Sequence, residues 1–286
     1  MTAHESTETL GNAAANGAQD GAGGESEVLL TTDADGVRTL TFNRPKAYNS
    51  LTVELKERLL TALREAAEDD SVRAVVLTGA GKAFCAGQDL KEHVATLRSG
   101  TENPLATVAE HYNPIVTALV DLPKPVIAAV NGSAAGAGAA LAYACDLRIA
   151  SSSATFAMAF AGVGLGPDSG ASWTLQRLVG AGRAVELMML GRKVDSEEAL
   201  RLGLVGEVVP DDELAARSHA VATRLAAGPT RAYAKIKSTV ARAAECSLAE
   251  ALAAEEAAQT ELGGTADHRE AVEAFVEKRR PQFTGK

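Results

Sequence analysis

Two stretches of this sequence constrain the fold most, because each joins an apolar strand to an apolar helix through residues with very small side chains. The first is Lys82–Leu90 (K-A-F-C-A-G-Q-D-L), and the second is Pro123–Asp146, which contains G-S-A-A-G-A-G-A-A. Glycine and alanine let a ligand approach the backbone closely, and a helix start presents free N–H groups. Two such turns facing each other could hold one developing oxyanion between two amide N–H groups, which suits chemistry on an activated carbonyl.

Composition narrows the class of protein. The chain has 286 residues, of which 46% are apolar and 23% charged, with a net charge of −9. These values are typical of a globular protein and argue against a nucleic-acid partner. No apolar run approaches the roughly 20 residues of a membrane span, so no membrane partner is expected. Three widely spaced cysteines (Cys85, Cys145 and Cys246) fit neither a disulfide framework nor a metal site and indicate a reducing, cytoplasmic location.

The order of elements predicts an α/β fold. Residues 1–26 have almost nothing to bury and are predicted to be a disordered tail. From there to about residue 210, strand and helix signals alternate, starting with a hairpin around Asp35-Gly36 and a Thr52-capped helix. The remaining residues, 211–286, are predicted to be helical. Buried strands are expected at Ala74–Thr78, Val126–Val130, Leu147–Ala150 and Thr155–Ala157, and helices at Thr52–Asp69, Val108–Leu122, Ser172–Val179, Ala181–Leu190, Ser196–Leu202, Asp211–Ala227, Thr230–Ala243, Leu248–Thr260 and Asp267–Lys278.

Two common catalytic or binding motifs are incomplete. The Gly136-Ala-Gly138 turn lacks the third glycine of a dinucleotide-binding fingerprint, since Leu141 stands there, and no acid follows at the usual distance. Ser133 and Ser169 lack a nucleophile elbow and a histidine partner.

Asp168 is the most informative acidic residue. It lies in G-V-G-L-G-P-D-S-G (Gly162–Gly170), between an apolar stretch and an apolar helix. One interpretation is an N-cap for the helix that follows. The other is a proton shuttle, because apolar walls would raise the pKa of a carboxyl group. The sequence leaves both open.

A basic cluster near the C-terminus also has two interpretations. Phe275–Phe283 (F-V-E-K-R-R-P-Q-F) contains Lys278, Arg279 and Arg280, and Arg44 and Lys46 lie near the start of the folded region. Such cations suit a phosphate-bearing ligand, but they also suit a solvated helix C-terminus.

Taken together in order, the motifs resemble the crotonase superfamily, the enoyl-CoA hydratases and isomerases. The resemblance runs from about Val28 to Phe283. The motifs that carry it are Phe42–Leu51, Val75–Leu90, Lys124–Gly132, Ala144–Ala150, Leu202–Val209 and Phe275–Arg280. It implies a β/α spiral core over residues 27–210 and a helical C-terminal region, 211–286, that assembles trimers, often paired as hexamers. It also implies acyl-CoA thioester substrates and no separate cofactor, since coenzyme A is part of the substrate.

The resemblance assigns roles to individual positions. It places the oxyanion-hole N–H groups at Cys85 and Ala137, although relatives commonly carry Gly at the second position. The positions expected to contact coenzyme A are Arg44, Ala47, Ala86, Gly87, Gln88, Phe275 and Lys278, the last two often from a neighbouring subunit. The positions expected to line the acyl pocket are Ala140, Met158 and Phe160.

Departures from the family pattern direct the functional prediction. Ala140 and Phe160 replace the two Glu residues that handle water in hydratases, whereas Asp168 matches the single acid of the branch resembling 1,2-epoxyphenylacetyl-CoA isomerase. The sequence therefore predicts an acyl-CoA isomerase with Asp168 as proton shuttle. The alternatives are a hydratase, nucleophilic dehalogenase- or hydrolase-type chemistry at Asp168, for which His111 is a loose match to the partner histidine, and a non-enzymatic acyl-CoA binder.

Overall fold

The computed structural model describes residues 27–286, so the predicted tail, residues 1–26, lies outside it. The strands are β1 (Leu29–Ala34), β2 (Val37–Phe42), β3 (Ala74–Gly79), β4 (Ala83–Cys85), β5 (Val126–Val130), β6 (Ser133–Ala135), β7 (Leu147–Ser151), β8 (Thr155–Ala157), β9 (Val194–Asp195) and β10 (Glu207–Val209). The helices are α1 (Val53–Glu68), α2 (Leu90–Arg98), α3 (Asn113–Asp121), α4 (Ala137–Ala144), α5 (Ala171–Val179), α6 (Ala181–Leu190), α7 (Ser196–Leu202), α8 (Leu214–Ala226), α9 (Thr230–Ala243), α10 (Leu248–Gly263) and α11 (Ala266–Val276).

The strands form two sheets that are mostly parallel. One has six strands in the order β1-β2-β3-β5-β7-β10, and the other has four in the order β4-β6-β8-β9. Among the strands of residues 27–286, only the β1–β2 hairpin and the β8–β9 pair are antiparallel. Short apolar runs such as Val126–Val130 are buried along their whole length, as parallel strands covered on both faces require. The predicted α/β class with C-terminal helices is confirmed.

Local signals explain why several elements form where they do. Asp35 and Gly36 both have positive φ, 54° and 74°, which fits a two-residue hairpin turn. The Thr52 side chain accepts a hydrogen bond from the Leu55 N–H and starts α1 as predicted. Every residue of α4 is buried, so this helix is the centre of the core rather than an amphipathic surface element.

The structure corrects the sequence prediction in three places. Strands β6 and β9, of three and two residues, were not predicted, and β4 was predicted only as the apolar strand that begins the Lys82–Leu90 stretch, without bounds. The helix after the first small-residue turn, α2, is not apolar, since it buries none of its residues. The predicted Val108–Leu122 helix begins with a π-helical turn, Val108–Tyr112, and continues as α3.

The C-terminal helices differ in how they meet the core. Helix α8 packs on the six-stranded sheet, where Leu214 and Ala222 share a buried cluster with Val37 and Ala74. Helices α10 and α11 bury far less, and Phe275 is 84% exposed. The division of the chain at residues 210/211 stays a prediction. None of the helices in the described part of the chain has the length and apolar character needed to cross a membrane.

Candidate active site

The two small-residue turns lie in direct backbone contact. A Cβ on Gly138 would lie 2.1 Å from the Cys85 carbonyl oxygen. Gly87 has a φ of 87°, and a Cβ there would lie 2.8 Å from the Ala135 carbonyl oxygen and 3.4 Å from the Ala137 nitrogen. Any side chain at position 87 or 138 would force the two turns apart. The two glycines therefore allow the end of β4 to contact the start of α4.

The N–H groups at this contact differ in whether they are free. Ala137 is the first residue of α4, where an N–H has no partner within the helix. Cys85 is completely buried, and the Gly87 N–H donates to its sulfur. Gln88 is partly exposed, and within residues 27–286 its N–H has no backbone acceptor. The assignment of Cys85 as donor stays a prediction, and Gln88 is a second candidate at this turn, because it is more exposed and its N–H has no backbone acceptor among the described residues.

Asp168 is held by an unusual turn rather than by a helix cap. Ser169 and Gly170 both have positive φ, 51° and 71°, and the buried Ser169 hydroxyl donates to the Asp168 carboxylate at 2.8 Å. The N-cap of α5 is Gly170, with no side-chain hydrogen bond, so the capping interpretation is wrong. A left-handed conformation at a buried serine is costly and is typical of functional turns.

The surroundings of Asp168 favour its protonated form. Burial raises the pKa of the Asp168 carboxyl group, while the Ser169 hydrogen bond and the Lys56 charge lower it, and the net direction is upward. A carboxyl group with a raised pKa is better suited to accepting and returning a proton than an ordinary surface aspartate.

The positions predicted to line the acyl pocket are buried and apolar. Ala140, Met158 and Phe160 are 0%, 3% and 8% exposed. None of the three side chains can take up or deliver a proton.

The predicted coenzyme A positions fall into two groups. Arg44, Ala47, Ala86, Gly87 and Gln88 lie together, because the loop of residues 44–51 hydrogen-bonds to the 85–89 turn through Ala86 N–H to Tyr48 O and Leu51 N–H to Gly87 O.

Arg44 also has a structural role in this loop. Its guanidinium donates to Asp89 at 2.9 Å, and Asp89 in turn caps α2 through the N–H groups of Lys91 and Glu92. This pair fixes the orientation of the first small-residue turn.

Phe275 and Lys278 form the second group, at and just beyond the end of α11. Both are exposed, and Lys278 lies just beyond α11, with a φ of 58°, rather than inside the helix as predicted. Within the described residues, no hydrogen bond or ion pair joins either side chain to the 44–51 loop or the 85–89 turn.

Sequence reasoning missed a buried polar cluster beside the site. Lys56 on α1 is 0% exposed and donates to Gln88 Oε1 at 3.3 Å and to Thr107 Oγ1. The Tyr112 hydroxyl donates to the same Gln88 oxygen, and the Thr107 hydroxyl lies 3.1 Å from His111 Nδ1. A signal was present, because Lys56 interrupts the apolar spacing that Leu59 and Leu63 continue.

Comparison of the sequence with known proteins identifies the family to which the chain is similar. The family model described as enoyl-CoA hydratase/isomerase matches residues 32–286. The chain is 44% identical to the 1,2-epoxyphenylacetyl-CoA isomerase of Escherichia coli K12 over 91% of this chain and 99% of the relative. It is also 44% identical to a Rhodobacter capsulatus protein described as an enoyl-CoA hydratase, over 88% and 96%.

Solved structures agree with the sequence relatives. A Mycobacterium abscessus protein described as an enoyl-CoA hydratase/isomerase superposes with a TM-score of 0.87 at 44% identity, over 90% of this chain and 100% of the other. The family match, the relatives and the shared fold lead to one conclusion: the chain belongs to the enoyl-CoA hydratase/isomerase family of the crotonase superfamily.

Proposed function

We propose that the protein is an acyl-CoA isomerase that shifts a double bond through a thioester enolate. The observation that carries the proposal is Asp168, a half-buried carboxylate with a raised pKa, at a site whose family acid positions are the apolar Ala140 and Phe160. One carboxylate suffices for such a shift, because the proton removed from one carbon is returned to another.

The mechanism follows from the two turns. The thioester oxygen accepts hydrogen bonds from the Ala137 N–H and from an N–H of the 85–88 turn. Asp168 removes a proton from the acyl chain, and the electron pair of that C–H bond moves toward the thioester oxygen to form the enolate. Asp168 then delivers its proton at a different carbon, and the electron pair returns to leave a displaced double bond. Losing one donor of such a hole typically lowers the rate by about 10²–10³-fold.

Hydration is the alternative function, and a hydratase-named relative as similar as the isomerase supports it. Addition of water needs a group that holds and deprotonates the water molecule. Ala140 and Phe160 cannot do this, so hydration would leave Asp168 to handle the water alone. This favours isomerisation.

The test compares two reactions in the wild-type protein and follows one of them in two variants. Wild-type enzyme should convert 3-hexenoyl-CoA to 2-hexenoyl-CoA much faster than it hydrates crotonyl-CoA. Asp168→Asn should abolish isomerisation with little change in thioester affinity, while Asp212→Asn, an exposed aspartate before α8, should retain it.

Three results would contradict the proposal. They are a hydration rate equal to the isomerisation rate, an active Asp168→Asn variant, and an aspartyl ester on Asp168 in mass spectra of quenched reactions. The ester would instead support nucleophilic chemistry.

A further inference from the structure

A lysine is completely buried beside the proposed oxyanion hole. Lys56 has 0% exposure, and its ammonium lies 5.0 Å from the centroid of the Tyr112 ring. Its acceptors are Gln88 Oε1 and Thr107 Oγ1. Buried lysines are uncommon because desolvation of the charge is costly, and those that occur are usually paired. Here the charge is held by neutral oxygens and an aromatic face rather than by a carboxylate.

Lys56 determines how the Gln88 side chain is oriented. An ammonium group can only donate, so the amide oxygen of Gln88, and not its nitrogen, must face Lys56. The Tyr112 hydroxyl donates to the same oxygen. Two donors on one oxygen hold the residue whose backbone N–H is free to meet the thioester oxygen. They also polarise the amide, which makes its NH₂ group a stronger donor.

Thr107 extends the cluster on the other side. Since its hydroxyl oxygen accepts from Lys56, its own proton is available to His111 Nδ1, 3.1 Å away. The π-helical turn Val108–Tyr112 connects these residues and brings His111 and Tyr112 to the same cluster.

The ionisable groups around Lys56 come from several elements. Its nearby carboxylates are Glu92 on α2, Asp168 on the turn before α5, Asp89 at the start of α2, and Glu57 on its own helix. Burial lowers the pKa of Lys56, and these four charges raise it. In return, Lys56 lowers the pKa of Asp168.

We propose that Lys56 is a positioning residue that orients Gln88 and supplies a fixed positive charge to both the ionised Asp168 and the enolate oxygen. The proposal rests on the enolate mechanism above. In that mechanism negative charge begins on Asp168 and moves to the thioester oxygen. A cation beside Asp168 keeps more of that carboxyl group ionised and ready to accept a proton, and the same cation stabilises the negative charge that develops on the thioester oxygen. A charge that is already in place in a site of low dielectric stabilises a developing opposite charge more strongly than the same charge does in water.

The main test replaces the charge and follows three readouts. Lys56→Met and Lys56→Gln remove the charge with similar side-chain volume, and Lys56→Gln can still donate to Gln88. Both should slow solvent deuterium exchange into 3-hexenoyl-CoA and its isomerisation by about 10- to 100-fold. Both should also move the acidic limb of the kcat/KM profile to higher pH, because Asp168 loses a cation that favours its ionised form.

The third readout does not depend on turnover of a natural substrate. Acetoacetyl-CoA forms a stable enolate that absorbs in the near ultraviolet. The fraction bound as enolate therefore measures how strongly the site stabilises the negative charge on the enolate oxygen. Wild type should show this absorbance, and both Lys56 variants should show at least a tenfold weaker enolate complex.

Controls separate charge from packing. Tyr112→Phe removes one donor to Gln88 but no charge, so it should slow the reaction less and leave the acidic limb unmoved. Lys124→Met removes another buried lysine, which donates to the Ala66 and Asp69 carbonyls, and should lower the melting temperature without altering the pH profile.

The outcomes distinguish this proposal from the isomerase mechanism. If the folded Lys56 variants keep the wild-type acidic limb and bound enolate fraction, the role of Lys56 is wrong, and a wild type that shows no enolate absorbance overturns it as well. If wild type neither exchanges deuterium nor isomerises, yet shows a Lys56-dependent enolate of acetoacetyl-CoA, the isomerase function fails and the role of Lys56 stands.

Discussion

At the residue scale, Asp168, the proposed proton shuttle, lies in surroundings that oppose its ionised form. Its carboxyl group is half buried, and burial is the largest influence on its pKa. The turn that holds it puts a buried serine in the left-handed region, at Ser169. Both features oppose folding, and both are expected where a side chain must stay ionisable and correctly aimed.

This conflict predicts a stability gain when the charge is removed. Asp168→Asn should raise the melting temperature at pH 7, because a carboxyl group whose pKa is raised in the folded state destabilises the fold when ionised. The advantage should shrink as the pH falls toward the pKa of Asp168, where the wild-type group becomes neutral as well.

Thermal unfolding at several pH values measures this, with Asp212→Asn as the control that should show no gain. A lower melting temperature for Asp168→Asn at pH 7 would mean that the ionised carboxylate stabilises the fold, contrary to the direction of its pKa shift.

At the element scale, the helices, strands and turns that depend on local sequence pattern were predicted from the sequence. The hairpin at Asp35-Gly36 and the start of α1 at Thr52 follow from turn and capping residues, and β5 follows from a continuous apolar run. Strands β4 and β6 contain mainly small residues with little β-propensity. They form because the two segments pair with each other where the turns meet.

The site was predictable only in part, for a similar reason. The small-residue turns and Asp168 are visible in the sequence, and the resemblance supplied their roles. Which N–H at the first turn is free depends on bonds to the 44–51 loop, such as Ala86 N–H to Tyr48 O and Asp89 N–H to Leu51 O. The burial of Lys56 depends on Thr107 and Tyr112, some fifty residues along the chain.

The contact between the two turns predicts that alanine substitutions at two glycines will differ sharply in their effect on stability. Gly138→Ala should destabilise the protein by about 1–3 kcal/mol and lower the isomerisation rate, because its Cβ would meet the Cys85 carbonyl at 2.1 Å. Gly182→Ala in α6, where a Cβ meets nothing within 4 Å, should be neutral or stabilising by up to about 1 kcal/mol.

Urea unfolding and the rate with 3-hexenoyl-CoA measure both glycine variants. Equal effects of the two substitutions on stability would show that the close approach of the turns is not what requires Gly138.

At the scale of the whole molecule, the chain leaves apolar residues exposed on its last helices. Val272, Phe275 and Val276 on α11 are 51%, 84% and 74% exposed, and Leu248 and Leu252 on α10 are 75% and 55% exposed. Clusters of this kind usually mark an interface. Phe275 lies near the end of α11 and Lys278 just beyond it, and within the described residues neither side chain makes a hydrogen bond or ion pair with the 44–51 loop.

These observations support the expectation that the protein is a trimer or hexamer in which Lys278 meets the coenzyme A of a neighbouring subunit. Lys278→Ala should then raise KM and leave kcat unchanged, because an exposed charge contact far from Asp168 contributes equally to ground and transition states. Lys193→Ala, an exposed lysine before β9, should change neither value. Light scattering gives the oligomeric state, and steady-state kinetics with 3-hexenoyl-CoA give the two constants. A monomer in solution, or a Lys278→Ala variant with lowered kcat and unchanged KM, would contradict this assignment.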